Sequence, residues 1–242
     1  MAHEEYIRIV PGSTGAVLLI HGILGTPDHF RDFLPLIPAD WSVYNILLDG
    51  HGGRVEDFSH TSMKKWKAQV SNRLDSLTAR YDRIILVAHS MGTLFAIQEA
   101  VSRPEKLAHL FLLQVPLRPR LQLRTACYSV LLPFGIVPKK ARDMLEDCSV
   151  VLDPRLWKYI GWIPRFLELF AECRATRRVL GELSVPCSAY QSHHDQLVSR
   201  RTVRDLEKHP HIHTVILPDS GHFRYRGNDL ALLQRGFSKL FQ

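Results

Sequence analysis

Residues Ile84 to Ala100 read I-I-L-V-A-H-S-M-G-T-L-F-A-I-Q-E-A, and this stretch restricts the fold more than any other. Five consecutive apolar residues, Ile84 to Ala88, suit a strand buried on both faces. A helical pattern follows from about Gly92 to Val101. Only His89, Ser90 and Met91 lie between the two, so strand must turn into helix almost on the spot. A turn that tight forces Ser90 into a strained backbone conformation and lifts its hydroxyl above the sheet. The residues two positions to either side must be small, and they are Ala88 and Gly92. The helix N-terminus adds partial positive charge where an oxyanion would develop. Ser90 is therefore the candidate nucleophile.

The rest of the chain alternates in the same manner, which predicts a mostly parallel sheet with helices on both faces. Tyr6 to Val10 reads as an edge strand. Ala16 to Ile20, Val43 to Leu48, Leu110 to Val115, Cys187 to Gln191 and His213 to Leu217 read as further strands. Thr26 followed by Pro27 is a helix start, with a capping hydroxyl and proline at the first helical position. From Ser62 to Arg80, the residues Trp66, Val70, Leu74 and Leu77 share one helical face. Further helices are expected near Arg200 to Lys208 and from Leu230 to Phe241. Residues 117 to 182 interrupt this rhythm, with helical patterns broken by Pro119, Pro133, Pro138, Pro154 and Pro164. The expected organisation is a core of residues 1–116 and 183–242, with residues 117–182 inserted between two late strands.

Composition removes several function classes. The apolar runs are far shorter than the ~20 residues a membrane span needs, and the N-terminus lacks the apolar stretch of a signal peptide. The net charge of +7 is dispersed, with no basic helix or arm of the kind that grips nucleic acid, so no nucleic-acid partner is expected. Cys127, Cys148, Cys173 and Cys187 are widely spaced and read as reduced thiols, which fits a cytoplasmic protein. His211 and His213 share a strand face, but two ligands without an acidic or thiol partner do not make a metal site.

Together with A-H-S-M-G, three further motifs make the chain resemble the α/β-hydrolase family. They are H-G-I-L-G at His21 to Gly25, D-G-H-G-G at Asp49 to Gly53, and S-G-H-F at Ser220 to Phe223. Within that family the chain is similar to small capped carboxylesterases and monoacylglycerol-lipase-like serine hydrolases. It departs from many members at Ala88, where they carry glycine. The resemblance implies an α/β-hydrolase fold with an inserted helical cap, and a reaction that needs no metal or organic cofactor.

It also implies the partners of Ser90. A serine is a poor nucleophile near neutral pH unless a base takes its proton and a third group orients the base. The family order is serine, acid, histidine. His222, in a Gly-containing loop after the last strand, is the expected base. Asp195, in H-H-D-Q-L-V, is the expected acid, with Val198 three residues on; Asp219 is its competitor, more local to His222 and suited to capping its own turn. The oxyanion-hole amides are expected from Met91 and Ile23. His21 and His51 are expected to brace loops, and His89 to pack within the turn.

The function that follows is hydrolysis of a carboxylic ester through an acyl-enzyme, on a small-molecule ester with an apolar acyl or alcohol part. A thioesterase, amidase or carbon–carbon hydrolase uses the same residues, and a non-catalytic binding protein shares the fold. The inserted segment carries 12 Lys and Arg against 7 Asp and Glu, which is +5 of the chain's +7. Such a cap either attracts anionic substrates and lipid surfaces or is simply a solvated basic face.

Overall fold

Along Gly15–Ile20 every residue is buried, and the side chains alternate between two cores. Ala16, Leu18 and Ile20 enter one; Val17 and Leu19 enter the other. That period of two is what a strand inside a covered sheet requires. The computed structural model describes residues 3–120, 153 and 155–242. In it this strand, β2, is third in a seven-stranded sheet of order β1-β3-β2-β4-β5-β6-β7. The others are β1 (Tyr6–Arg8), β3 (Ser42–Ile46), β4 (Arg83–His89), β5 (Leu107–Leu113), β6 (Cys187–Ser192) and β7 (Ile212–Leu217). Only β1 is antiparallel, paired with β3 at one edge. It stops at Arg8 rather than Val10, because the Val10 amide donates to Ser42 Oγ and Pro11 opens a turn.

Parallel strands need crossovers, and the helices of those crossovers cover the faces. They are α1 (Val55–Ser59), α2 (Met63–Thr78), α3 (Met91–Ser102), α4 (Trp162–Val179), α5 (Arg201–Leu206) and α6 (Gly227–Ser238). Ser62 caps α2 by accepting from the Lys65 amide, and Trp66, Val70, Leu74 and Leu77 are all buried against the sheet. The helix expected after Thr26 is a single 3₁₀ turn, Pro27–Phe30, capped by the Thr26 hydroxyl. On the opposite face from α2 and α3, Phe33, Phe111 and Phe237 pack edge to face beneath α6.

Within the stretch 117–182, residues 121–152 and 154 lie outside the described residues, as do Cys127 and Cys148. Pro164 does not break a helix. It sits in the first turn of α4, where its missing N–H has no intrahelical acceptor to lose. α4 packs on the core: Trp162 Nε1 donates to the Val55 carbonyl at 3.0 Å, and Lys67 meets Glu172 at 2.7 Å. Cys173 and Cys187 are buried free thiols, and burial pushes Cys173 up to about 12. Among the described residues no helix is long and apolar enough to cross a membrane.

Candidate active site

The turn at the end of β4 has the geometry its sequence demands. Ser90 has φ +50° and ψ −122°, a region costing a non-glycine residue roughly 1–3 kcal/mol. Hydrogen bonds on both sides hold it there. The Ser90 amide donates to the Leu113 carbonyl at 2.8 Å, and the Ser90 carbonyl accepts from the Thr93 amide at 2.9 Å and hydroxyl at 2.6 Å. Gly92 is small for a reason beyond the approach of β4 to α3. A Cβ there would lie 2.3 Å from the Ile20 carbonyl oxygen, so the start of α3 is pressed against the neighbouring strand β2. Ala88 is fully buried within β4.

Two loops from the far side of the sheet meet Ser90. His222, 2% exposed, places Nε2 2.9 Å from Ser90 Oγ, and its Nδ1 lies 2.8 Å from Asp195 Oδ2. Asp195 follows β6 and is fixed by its other oxygen, which accepts from the amides of Leu197 at 2.7 Å and Val198 at 2.8 Å. Ser90, His222 and Asp195 thus form one continuous hydrogen-bonded line, nearly sealed from solvent. Asp219 takes no part in it. Its side chain is exposed, and its turn is capped by a different carboxylate.

That carboxylate is Asp229, buried near the start of α6. Its Oδ2 accepts from the Asp219 amide at 2.8 Å and the Ser220 hydroxyl at 2.7 Å. The loop carrying His222 is therefore tied to the helix behind it. Sequence reasoning does not find Asp229, because an aspartate in the first turn of a helix reads as ordinary dipole compensation. The signal was the S-G-H loop itself, which needs an anchor within reach.

The H-G-I-L-G loop lies against the serine, since a Cβ on Gly22 would stand 2.8 Å from Ser90 Cβ. Two histidines brace it, as the resemblance implied. His21 donates from Nδ1 to the Gly22 carbonyl at 2.8 Å and accepts the Leu48 amide at Nε2 at 3.0 Å. His51 accepts the Leu24 amide at 3.1 Å, holding Leu24 at φ +55°, and donates to the Leu48 carbonyl. Each ring needs one N–H and one lone pair, so each must be neutral. Burial keeps them so: it lowers His51 to about 4, and burial plus the nearby His51 ring holds His21 well below its ordinary value. Among the described residues, neither the Ile23 nor the Met91 amide donates a hydrogen bond.

A third pair of rings lies under His222. His29 stacks on His89 with centroids 3.8 Å apart, and His89 Nε2 donates to the His222 carbonyl at 2.9 Å. Burial, then the neighbouring His222, lowers His29 to about 3, while burial and His29 hold His89 well down. His211 and His213 remain apart from all of this, and among the described residues no group of three or more His, Cys, Asp or Glu is placed to hold a metal.

With this geometry in view, the comparisons with known proteins carry weight. The family described as "Alpha/beta hydrolase family" matches residues 17–232. A thermostable monoacylglycerol lipase from Bacillus sp. (strain H-257) is 32% identical over 90 residues, which is 37% of this chain and 36% of that protein. The aligned segment therefore spans only about a third of that relative's length. A structure reported for LipS and LipT, two metagenome-derived lipolytic enzymes, superposes with TM-score 0.76 at 21% identity, over 99% of this chain and 98% of the other. The monoacylglycerol lipase of Paleococcus ferrophilus gives TM-score 0.69 at 18% identity, over 98% and 97% of the two chains. A thioesterase domain from the curacin biosynthetic pathway gives 0.64 at 18% identity, over 99% of each chain. At these identities the structural likenesses speak for the fold alone.

Proposed function

The chain belongs to the alpha/beta hydrolase family, and on that premise we propose that it is a serine hydrolase of small carboxylic esters. The observation that carries this reading is the line Ser90 Oγ, His222 Nε2, His222 Nδ1, Asp195 Oδ2, with contacts of 2.9 and 2.8 Å. In the reaction Ser90 attacks the ester carbonyl while His222 accepts the hydroxyl proton. Asp195 keeps the ring oriented and stabilises its cationic form. The Ile23 and Met91 amides receive the oxyanion, each such donor being worth roughly 100- to 1000-fold in rate. His222 next protonates the departing alcohol, and the acyl group stays on Ser90 as an ester. Water, deprotonated by His222, then releases the acid.

An apolar acyl or alcohol part is supported by the Phe223 ring, 4.7 Å from that of His222, and by the apolar Ile23 and Leu24 of the bracing loop. Residues 117–182 act in this reading as a cap. Lipid-surface contact by that cap is supported by Trp157, Ile160, Ile163 and Leu167, which recur three, three and four residues apart and are all more than half exposed. A cytoplasmic location fits the two buried free thiols.

The test is hydrolysis of chromogenic acyl esters, from acetate to long chain, by the wild type and Ser90→Ala. Turnover abolished by the substitution is expected, with a chain-length optimum that measures the acyl pocket. Thioesters and anilides of the same acyl groups form a second arm. Faster turnover of either, equally dependent on Ser90, would keep the residue roles and move the substrate class. No turnover in any arm would favour a binding protein on this fold.

A further inference from the structure

At the other end of the sheet from Ser90, a cleft of about 470 Å³ opens between α6 and the first residues of β4 to β7. Its rim carries Arg83, Arg235 and Lys239, and its wall adds His109 and His213; no Asp or Glu is among its lining residues. The guanidinium of Arg83 is fixed in place, donating to the Leu240 carbonyl at 2.9 Å and lying 5.4 Å over the Trp41 ring. His109 Nε2 and Ser188 Oγ are paired at 2.9 Å. Among the described residues, the side chains of Arg235, Lys239 and His213 make neither a hydrogen bond nor an ion pair. Arg103, Arg118, Arg155 and Lys158 each meet a carboxylate elsewhere on the surface.

The floor is apolar, formed by Tyr190, Val215, Leu232 and Leu240. It exists because α6 carries Gly236 where it crosses β6. A Cβ at that position would lie 1.9 Å from the Tyr190 hydroxyl, so only glycine leaves the phenol its place. Three permanent cations gathered without a counter-charge repel one another, and an anion between them relieves that repulsion. A carboxylate brings one charge. A phosphate monoester brings nearly two, with three acceptor oxygens that suit guanidinium and ammonium donors together.

We propose that this cleft binds a phosphomonoester of a small organic molecule, its phosphate against Arg83, Arg235 and Lys239 and its apolar part over Tyr190, Val215 and Leu232. The volume falls within the roughly 300–1,000 Å³ of small-molecule sites. A soluble phosphate ester and the headgroup of phosphatidic acid present the same chemistry. The site is separate from Ser90 and does not depend on the reading of that serine.

The experiment is calorimetric titration of the full chain with phenyl phosphate, with benzyl alcohol as the uncharged control. It is accompanied by co-sedimentation with phosphatidylcholine vesicles, with and without phosphatidic acid. One saturable phenyl phosphate site is expected, weakened by salt, retained in Ser90→Ala, and weakened about tenfold or more in Arg235→Gln/Lys239→Gln with an unchanged melting temperature. Phosphatidic acid-dependent sedimentation lost in the double variant, without phenyl phosphate binding, assigns the same group to a lipid source. The proposal is overturned if wild type binds neither probe, if binding is insensitive to salt, or if the double variant binds as tightly as wild type.

Discussion

His89 Nε2 donates to the main-chain carbonyl of His222 at 2.9 Å, so the residue before the serine grips the residue that faces the serine hydroxyl. This bond joins the end of β4 to a loop 133 residues further along the chain and fixes how far apart Ser90 Oγ and His222 Nε2 stand. His89→Ala removes it and also the ring on which His29 stacks. The rate of Ser90 phosphonylation by a fluorophosphonate is expected to fall roughly ten- to a hundred-fold, because small misplacements of reacting groups are that costly. His89→Gln, which can still reach the carbonyl, should recover part of the loss. Stopped-flow labelling of the three proteins reads this directly.

Asp195 and Asp219 make opposite predictions. Asp195→Asn replaces the acceptor at His222 Nδ1 and should lower kcat about 10⁴-fold by favouring the wrong tautomer. Asp219→Asn alters an exposed side chain and should leave kcat within about twofold. Steady-state kinetics on a single ester compares the two.

In the proposed reaction Asp229 acts as a positioning residue, and its loss should separate kcat from KM. In Asp229→Ala the Asp219 amide and the Ser220 hydroxyl lose a buried charged acceptor, which costs about 3 kcal/mol of stability. The His222 loop would then wander, lowering kcat about a hundred-fold with little change in KM. Asp229→Asn retains an oxygen in place and should restore most of both. Urea unfolding together with ester kinetics measures the pair of effects.

Four histidines that their surroundings hold neutral, His21, His29, His51 and His89, give stability a pH dependence of definite sign. His29 and His51 stand at about 3 and 4 in the folded chain, and His21 and His89 are held well below their ordinary value by burial. Unfolded, each titrates near 6.5. Between about pH 4 and 6.5 the unfolded chain therefore binds more protons, so stability rises with pH through that window and is lost as pH falls. From pH 7.5 to pH 5, His29 and His51 each account for about 2 kcal/mol. Urea midpoints should fall steeply across this range, and His29→Gln should flatten the fall.

Much of this was legible because local rules agreed with the global fold. The Ile84–Ala88 run, the apolar face of Trp66 to Leu77 and the Ser62 cap each predict an element within a residue or two. Ser90 was marked by the backbone demands of its turn, and His222 by the family order and its Gly-containing loop after the last strand. Asp195 was preferred over Asp219 by resemblance and because Asp219 lies only three residues from His222, since two aspartates in polar loops otherwise look alike until the sheet sets their distances. α1, five residues long, is too short to leave a periodic signal. The stacking of His29 on His89 and the pressure of Gly92 on Ile20 join residues far apart in sequence, and Asp229 reaches back across a loop to Asp219 and Ser220. No pattern along the chain announces such contacts.

The proposed function rests on Ser90 as the nucleophile, and covalent capture reads this without any choice of substrate. The protein would be treated with a fluorophosphonate, digested, and mapped by peptide mass spectrometry, with the ester substrate as competitor. One adduct is expected, on Ser90, formed more slowly in the presence of substrate and absent from Ser90→Ala. An adduct on another residue, or ester turnover that survives in Ser90→Ala, would remove Ser90 from that role.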